Sequence, residues 1–179
     1  PFTLVGATTR LGNISTPMRD RFGAIFRLDF YQKDEIFKIL KRTASILEMN
    51  VQDDALTEIA GRSRGTPRIA NRVLKRVRDF AQVKNVKEIS LEDARSSLDS
   101  IGIDENGLEN MDRKILKNLI VNYNGGPTGG KSLAISINED IQTIEDVYEP
   151  YLIKEGFIER TSRGRIATDK AYALFDLKK

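Results

Sequence analysis

The sequence predicts a mainly α-helical protein with a small β component. Three observations carry this. Residues 33–49 place Ile36, Ile39, Leu40, Thr43 and Leu47 on one helical face. Residues 111–168 hold three short helical stretches and then one hairpin pattern. Strand-like runs elsewhere are confined to residues 2–7 and 24–30.

Residues 2–7 are a short apolar run with β-branched members, which predicts a buried strand. The run leads into Thr8, Thr9 and Arg10 at the strand's expected carboxyl end, where open α/β sheets place ligands. A hydroxyl there can position a water or touch a terminal phosphate. Thr9 is the candidate, with Thr8 beside it; the plainer role for both is to satisfy loop backbone groups. Thr16 and Pro17 then read as an N-cap and first helical residue, so residues 18–22 are expected to form a short helical turn. That turn carries Arg19, Asp20 and Arg21, with Phe22 as its apolar anchor. Two guanidiniums on so short a turn suit presentation of an arginine to a phosphate, because the planar fork donates in fixed geometry. The register of the turn decides between Arg19 and Arg21. Residues 24–30 alternate well enough for a second strand, after which Tyr31 opens the helical section.

Beyond the helix at 33–49, residues 53–64 form another, ending near Gly65. Thr66 is then an N-cap and Pro67 the first residue of a further helix, with Ile69, Val73, Val77 and Phe80 as its core stripe. Arg68 falls in the first turn, where free N–H groups and the helix dipole favour an anion. A cation is unfavourable there unless an anion comes with it. Ser90 and Asp93 have capping-box spacing at the start of the next helix. Residues 101–110, with Gly102, Gly107 and several acidic or amide residues, read as a linker.

Helices at 111–123, 132–137 and 141–155, followed by a hairpin turning at Arg163 and Gly164, spell a winged helix. Its third helix carries Glu145, Asp146, Glu149 and Glu155, and DNA phosphates would repel it. The wing instead clusters Arg160, Arg163 and Arg165. Either a two- or a four-residue turn puts Arg160 and Arg165 on one face, able to straddle backbone phosphates without reading sequence. Residues 125–132 match the phosphate-loop pattern G-x-x-x-x-G-K-S literally. That pattern works only between a strand and a helix, and the residues before it repeat at helical spacing. An ordinary inter-helix turn is expected.

The net charge of +3 is uneven, at +5 over residues 1–102 and −2 over residues 103–179. The absence of cysteine and histidine removes thiolate chemistry, disulfides and histidine-based triads or zinc sites. No apolar run is long enough to span a membrane.

Four stretches, in this order, resemble the RuvB family of Holliday-junction branch-migration ATPases: Phe2-Thr-Leu-Val-Gly-Ala-Thr-Thr-Arg10, Ser15-Thr-Pro-Met-Arg-Asp-Arg-Phe-Gly23, Arg64-Gly-Thr-Pro-Arg-Ile-Ala-Asn-Arg72 and Tyr148-Glu-Pro-Tyr-Leu-Ile-Lys-Glu-Gly-Phe157. The resemblance implies the C-terminal remnant of an α/β AAA+ ATPase domain at 1–31, a helical lid at 32–102 and a winged-helix domain at 103–179. It implies ATP or ADP with Mg2+, the phosphate loop and Mg2+-holding acids lying upstream of Pro1, so that the chain alone would not hydrolyse ATP. It puts Thr9 at the sensor position beside the nucleotide and Arg21 in trans on a neighbour's ATP. Tyr31 would lie against the nucleotide at the hinge, Arg68 would touch it from the lid, and Arg160 and Arg165 would contact DNA. A homo-oligomeric, hexameric ring on double-stranded DNA and four-way junctions follows, partnered by RuvA in the bacterial cytoplasm. Two other readings compete. A clamp-loader-like ATPase shares the arginine and lid logic but not the winged-helix ending. A winged-helix regulator without motor activity leaves Arg21, the threonine pair and Arg68 unused.

Overall fold

The computed structural model describes residues 1–177. Residues 1–31 contain a 3-10 turn at Leu11–Asn13 and the short helix α1, Thr16–Arg19, and no strand. This corrects the expectation of strands at 2–7 and 24–30. A buried strand needs neighbours that pair its backbone and cover its faces, and the described residues supply none for either run. Phe2, Val5, Phe26 and Leu28 are each more than 80% exposed, so the apolar pattern here is a face without its cover.

The lid is built from α2 (Lys33–Ile46), α3 (Asp53–Gly61), α4 (Pro67–Val83) and α5 (Leu91–Ser100). Helix α2 starts with a capping box between Gln32 and Glu35 and buries Ile36, Leu40 and Ala44. In α4, Thr66 is the N-cap and Pro67 opens the helix, as its φ and missing N–H favour. Its buried stripe is Ala70, Val73, Leu74, Val77 and Ala81, with Ile69 and Phe80 at the flanks. The small alanines let the helix sit deeper than the large residues alone suggested. Ser90 and Asp93 close a reciprocal capping box on α5, and these hydrogen bonds hold the Asp93 carboxyl below its usual range.

The second unit holds α6 (Asn110–Tyr123), α7 (Gly130–Ile137), and a composite third helix of α8 (Ile141–Thr143), a π turn (Ile144–Tyr148) and α9 (Glu149–Lys154). Pro150 explains the π turn. It has no N–H, and its ring excludes the carbonyl four residues back, so the helix widens there. Strands β1 (Ile158–Thr161) and β2 (Gly164–Ala167) pair antiparallel, and α10 (Asp169–Ala173) follows. The hairpin turn falls at residues 162–163, one position before the turn the sequence suggested. Thr128, between α6 and α7, adds a bridge to Arg165 and so a third extended segment to the wing.

Two separate apolar cores result, one from Ile36 to Ile103 and the other from Leu108 to Tyr172. Among the described residues no helix is long and apolar enough to cross a membrane.

Candidate nucleotide and nucleic-acid interfaces

The turn between α3 and α4 is the best-defined feature of the lid side. Arg64 and Gly65 both take left-handed backbone, with φ of 57° and 67°. Gly65 is required twice over: a Cβ there would lie 2.7 Å from the Tyr31 carbonyl, and the φ is one that L side chains rarely adopt. The Tyr31 amide donates to the Gly65 carbonyl at 2.9 Å, so the hinge residue is tied to this turn. Arg68 leaves the first turn of α4 exposed and with no carboxylate partner among the described residues. Tyr31 and Arg68 are therefore brought to one turn.

Thr9 and Arg21 belong to the preceding segment, and among the described residues no hydrogen bond or ion pair joins them to residues 64–68. The threonine pair divides. The Thr8 hydroxyl accepts from the Arg10 amide at 3.0 Å, the plain loop role, whereas Thr9 is exposed and has no such bond among the described residues. Helix α1 begins one residue earlier than expected, with Ser15 as N-cap. Arg19 folds back and donates to the Thr16 hydroxyl at 3.1 Å. Arg21 lies past the helix end, exposed and without a carboxylate partner among the described residues, and the half-buried Phe22 ring packs beside Gly6. Arg10 pairs with Asp146 of the π turn, and that hydrogen bond holds the Asp146 carboxyl below its usual range.

On the wing, Arg160 and Arg165 are direct cross-strand partners on one face, as the hairpin spacing requires. Their surroundings differ. The Arg160 side chain is 56% exposed and lies 3.4 Å from Glu145 and 3.8 Å from Glu149. Arg165 is buried, donating Nε to Glu149 and Nη2 to Glu145 at 2.6 Å. The acidic third helix is thus spent largely on the wing's own cations. Arg163 is exposed at the turn.

The glycine-rich run at 125–132 joins helix α6 to helix α7, not a strand to a helix. Its glycines answer to the wing. With φ of 93°, Gly126 would put a Cβ 2.2 Å from the Arg165 carbonyl, and Gly130 would put one 2.4 Å from the Arg165 guanidinium. Among the described residues no group of three or more carboxylates could hold a metal ion.

Sequence reasoning missed a buried polar cluster behind the lid turn. Arg64 donates Nε to the Gly107 carbonyl at 3.0 Å and Nη2 to Asp112, and lies 4.8 Å from the centre of the Tyr151 ring. Tyr151 in turn donates to the Asn106 carbonyl at 2.7 Å. Burial raises the Asp112 carboxyl above its usual range, with the Arg64 charge and the Glu109 amide opposing, and burial pushes the Tyr151 hydroxyl up to about 12. The available signal was the spacing of Glu109 and Asp112, a capping box at the start of α6.

Three family models account for nearly all of the chain. The RuvB P-loop domain, described as that of a Holliday junction DNA helicase, matches residues 1–28; the RuvB AAA lid domain matches 31–104; and the RuvB C-terminal winged helix domain matches 105–176. The chain belongs to the RuvB family. The Holliday junction branch migration complex subunit RuvB of Oleidesulfovibrio alaskensis is 55% identical over 99% of this chain and 55% of its own length. The Fusobacterium nucleatum subunit of the same description is 51% identical over 98% of this chain and 53% of its own length. The chain therefore spans about half the length of these RuvB relatives. The solved structure of the Thermotoga maritima RuvB Holliday junction branch migration motor superposes with a TM-score of 0.95 at 49% identity, covering all of this chain and 60% of that one. In this RuvB-family chain the mainly helical lid and the winged helix with its small sheet agree with the fold class read from sequence.

If the glycine-rich run serves packing, Gly126→Ala destabilises the winged-helix unit by about 2 kcal/mol or more, while exposed Lys131→Ala stays within about 0.5 kcal/mol. Chemical denaturation of both variants checks this. The reverse order would mean that the run is shaped for a ligand.

Proposed function

We propose that this chain supplies the lid, the winged helix and part of the ATPase domain of a ring-shaped, ATP-driven motor that moves four-way DNA junctions. The observation that carries the reading is Arg68, an exposed cation without a carboxylate partner among the described residues, in a helix first turn that favours anions. A nucleotide phosphate resolves that conflict. ATP supplies the phosphoryl group whose transfer to water drives the cycle, and the Mg2+ ligands belong to the ATPase region outside this chain's half of its relatives' length. Arg68 donates to the phosphates from the lid, Tyr31 lines the nucleotide at the hinge, and Thr9 presents a hydroxyl to the terminal phosphate or its water. Arg21 reaches from its anchored turn into the site of the neighbouring subunit. Its freedom from carboxylates, against the back-folded Arg19, favours Arg21 for that role. A hexameric ring supplies such neighbours, and a RuvA-type partner holds the junction, in keeping with the relatives' description as subunits of a branch migration complex. The bacterial cytoplasm is the corresponding compartment.

DNA is held by the wing. Arg160 makes the outer contact with backbone phosphates, and Arg165, oriented by Glu145 and Glu149, backs it on the same face. Contacts of this kind position a duplex without reading its sequence, as travel along arbitrary DNA demands. The winged-helix reading is shared with a plain DNA-binding regulator, but that alternative gives Arg21 and Arg68 nothing to do.

In protein that includes the upstream region of its relatives, Arg21→Ala should lower ATP hydrolysis by about 10³-fold or more with ATP binding retained, and Arg19→Ala should change it little. Loss through Arg19 alone would reassign the finger. For the wing, Arg160→Ala should weaken duplex binding about equally for all sequences and make the salt slope shallower by roughly one contact. Duplex titrations over a salt series measure this, and a sequence-selective loss contradicts it.

A further inference from the structure

The lid and the winged-helix unit share no apolar core. Units joined without a large apolar interface move relative to one another by default. What crosses between them is polar, and most of it originates in Arg64. Its neighbour Arg62 stays within the lid, donating to the Ile103 carbonyl at 3.1 Å and pairing with Glu58 and Asp99. Arg64 grips the Gly107 carbonyl and Asp112 and stacks on Tyr151. The Arg72–Glu109 pair also crosses, at 3.1 Å, but its arginine is 61% exposed and such pairs hold little.

The Arg64–Asp112 pair is different in kind. Both residues are buried, and among the described residues Asp112 Oδ1 has no hydrogen-bond partner. Two well-packed apolar side chains of similar volume usually stabilise at least as well as a buried ion pair. What the pair adds is fixed geometry: a planar fork with one donor on a backbone carbonyl and one on a carboxylate. The same Asp112 Oδ2 accepts the Glu109 amide at 2.7 Å and so caps α6, which ties the pair to the first helix of the winged-helix unit. On the other side Arg64 is the first residue of the turn that continues through Gly65 to Arg68.

We infer that Arg64 and Asp112 are positioning residues that fasten the turn carrying Arg68 to the winged-helix unit, so that a displacement of this turn reaches the wing as motion of one rigid body. The inference rests on the reading of Arg68 as a nucleotide contact. Neither residue touches nucleotide or DNA in it; both act through the helices they join.

These 179 residues contain no cysteine, so a direct test is made in protein carrying the upstream region with any cysteine there replaced by serine. Exposed Ser45 on α2 and Ser162 at the wing turn are replaced by cysteine and spin-labelled, and the lid-to-wing distance distribution is recorded without nucleotide, with ADP and with a non-hydrolysable ATP analogue. The expected result is one narrow distribution, the same in all three states, that broadens in Asp112→Asn and in Arg64→Lys. In the same variants ATP turnover stays near the wild-type rate while migrated junction per ATP falls about tenfold. Arg64→Lys keeps the charge but not the fork, and it decides the matter if Asp112→Asn does not fold. An unchanged distribution in the variants, a wild-type distance that shifts with nucleotide, or a parallel loss of turnover and migration would each overturn the inference. If the wild-type protein neither hydrolyses ATP nor moves junctions, the proposed function fails. The nucleotide-free distributions still decide whether the joint exists.

Discussion

Two hydrophobic cores in one chain need something to hold them in register, and here that is a buried arginine meeting a buried aspartate. Arg64 is taken out of water by the packing of both units, and its charge is answered by Asp112, by Glu109 at 3.8 Å, by the Gly107 carbonyl and by the face of Tyr151. Desolvating such a pair is expensive, and removing one partner leaves the other charge buried alone. The left-handed φ of Arg64 adds to this, since a non-glycine residue takes that conformation at some cost. An arrangement with so many local penalties persists because it fixes a geometry, and the geometry it fixes includes the turn to Arg68.

The wing repeats the theme at smaller scale. A third helix bearing Glu145, Asp146 and Glu149 is a poor surface for DNA, yet each of these carboxylates has a cation: Arg160 and Arg165 for the glutamates and Arg10 for Asp146. The hairpin is two strands of four residues, marginal on its own. It is braced on one side by Glu149 and on the other by the glycine-rich run, whose Thr128 pairs with Arg165 through both backbone hydrogen bonds. The bracing leaves Arg160 and Arg163 outward, so the acidic helix and the basic wing act together as one orienting frame.

Much of this was legible in the sequence because it depends on local rules. Helical periodicity located α2, α3, α4 and α6, Thr66 with Pro67 marked the start of α4, and the Ser90–Asp93 capping spacing marked the start of α5. Helical spacing before Gly125 marked the phosphate-loop pattern as a turn between helices. The hairpin spacing put Arg160 opposite Arg165, but burial of one and exposure of the other depends on Glu145 and Glu149, which are far away in sequence. Residues 2–7 and 24–30 misled for the opposite reason: their apolar pattern is that of strands, but strand formation requires partners that the described residues lack. The Arg64–Asp112 pair was invisible because residues 101–110 read as a linker, and a contact 48 positions apart leaves no periodic trace.

The measurement that bears most directly on this account is a double-mutant cycle between Arg64 and Asp112, using Arg64→Met, Asp112→Leu and the pair together, read by denaturant unfolding. A joint made by these two side chains predicts a coupling of about 2 kcal/mol, with the double variant more stable than either single one. Additive effects, with coupling under about 0.5 kcal/mol, would mean that the two units are held by something else.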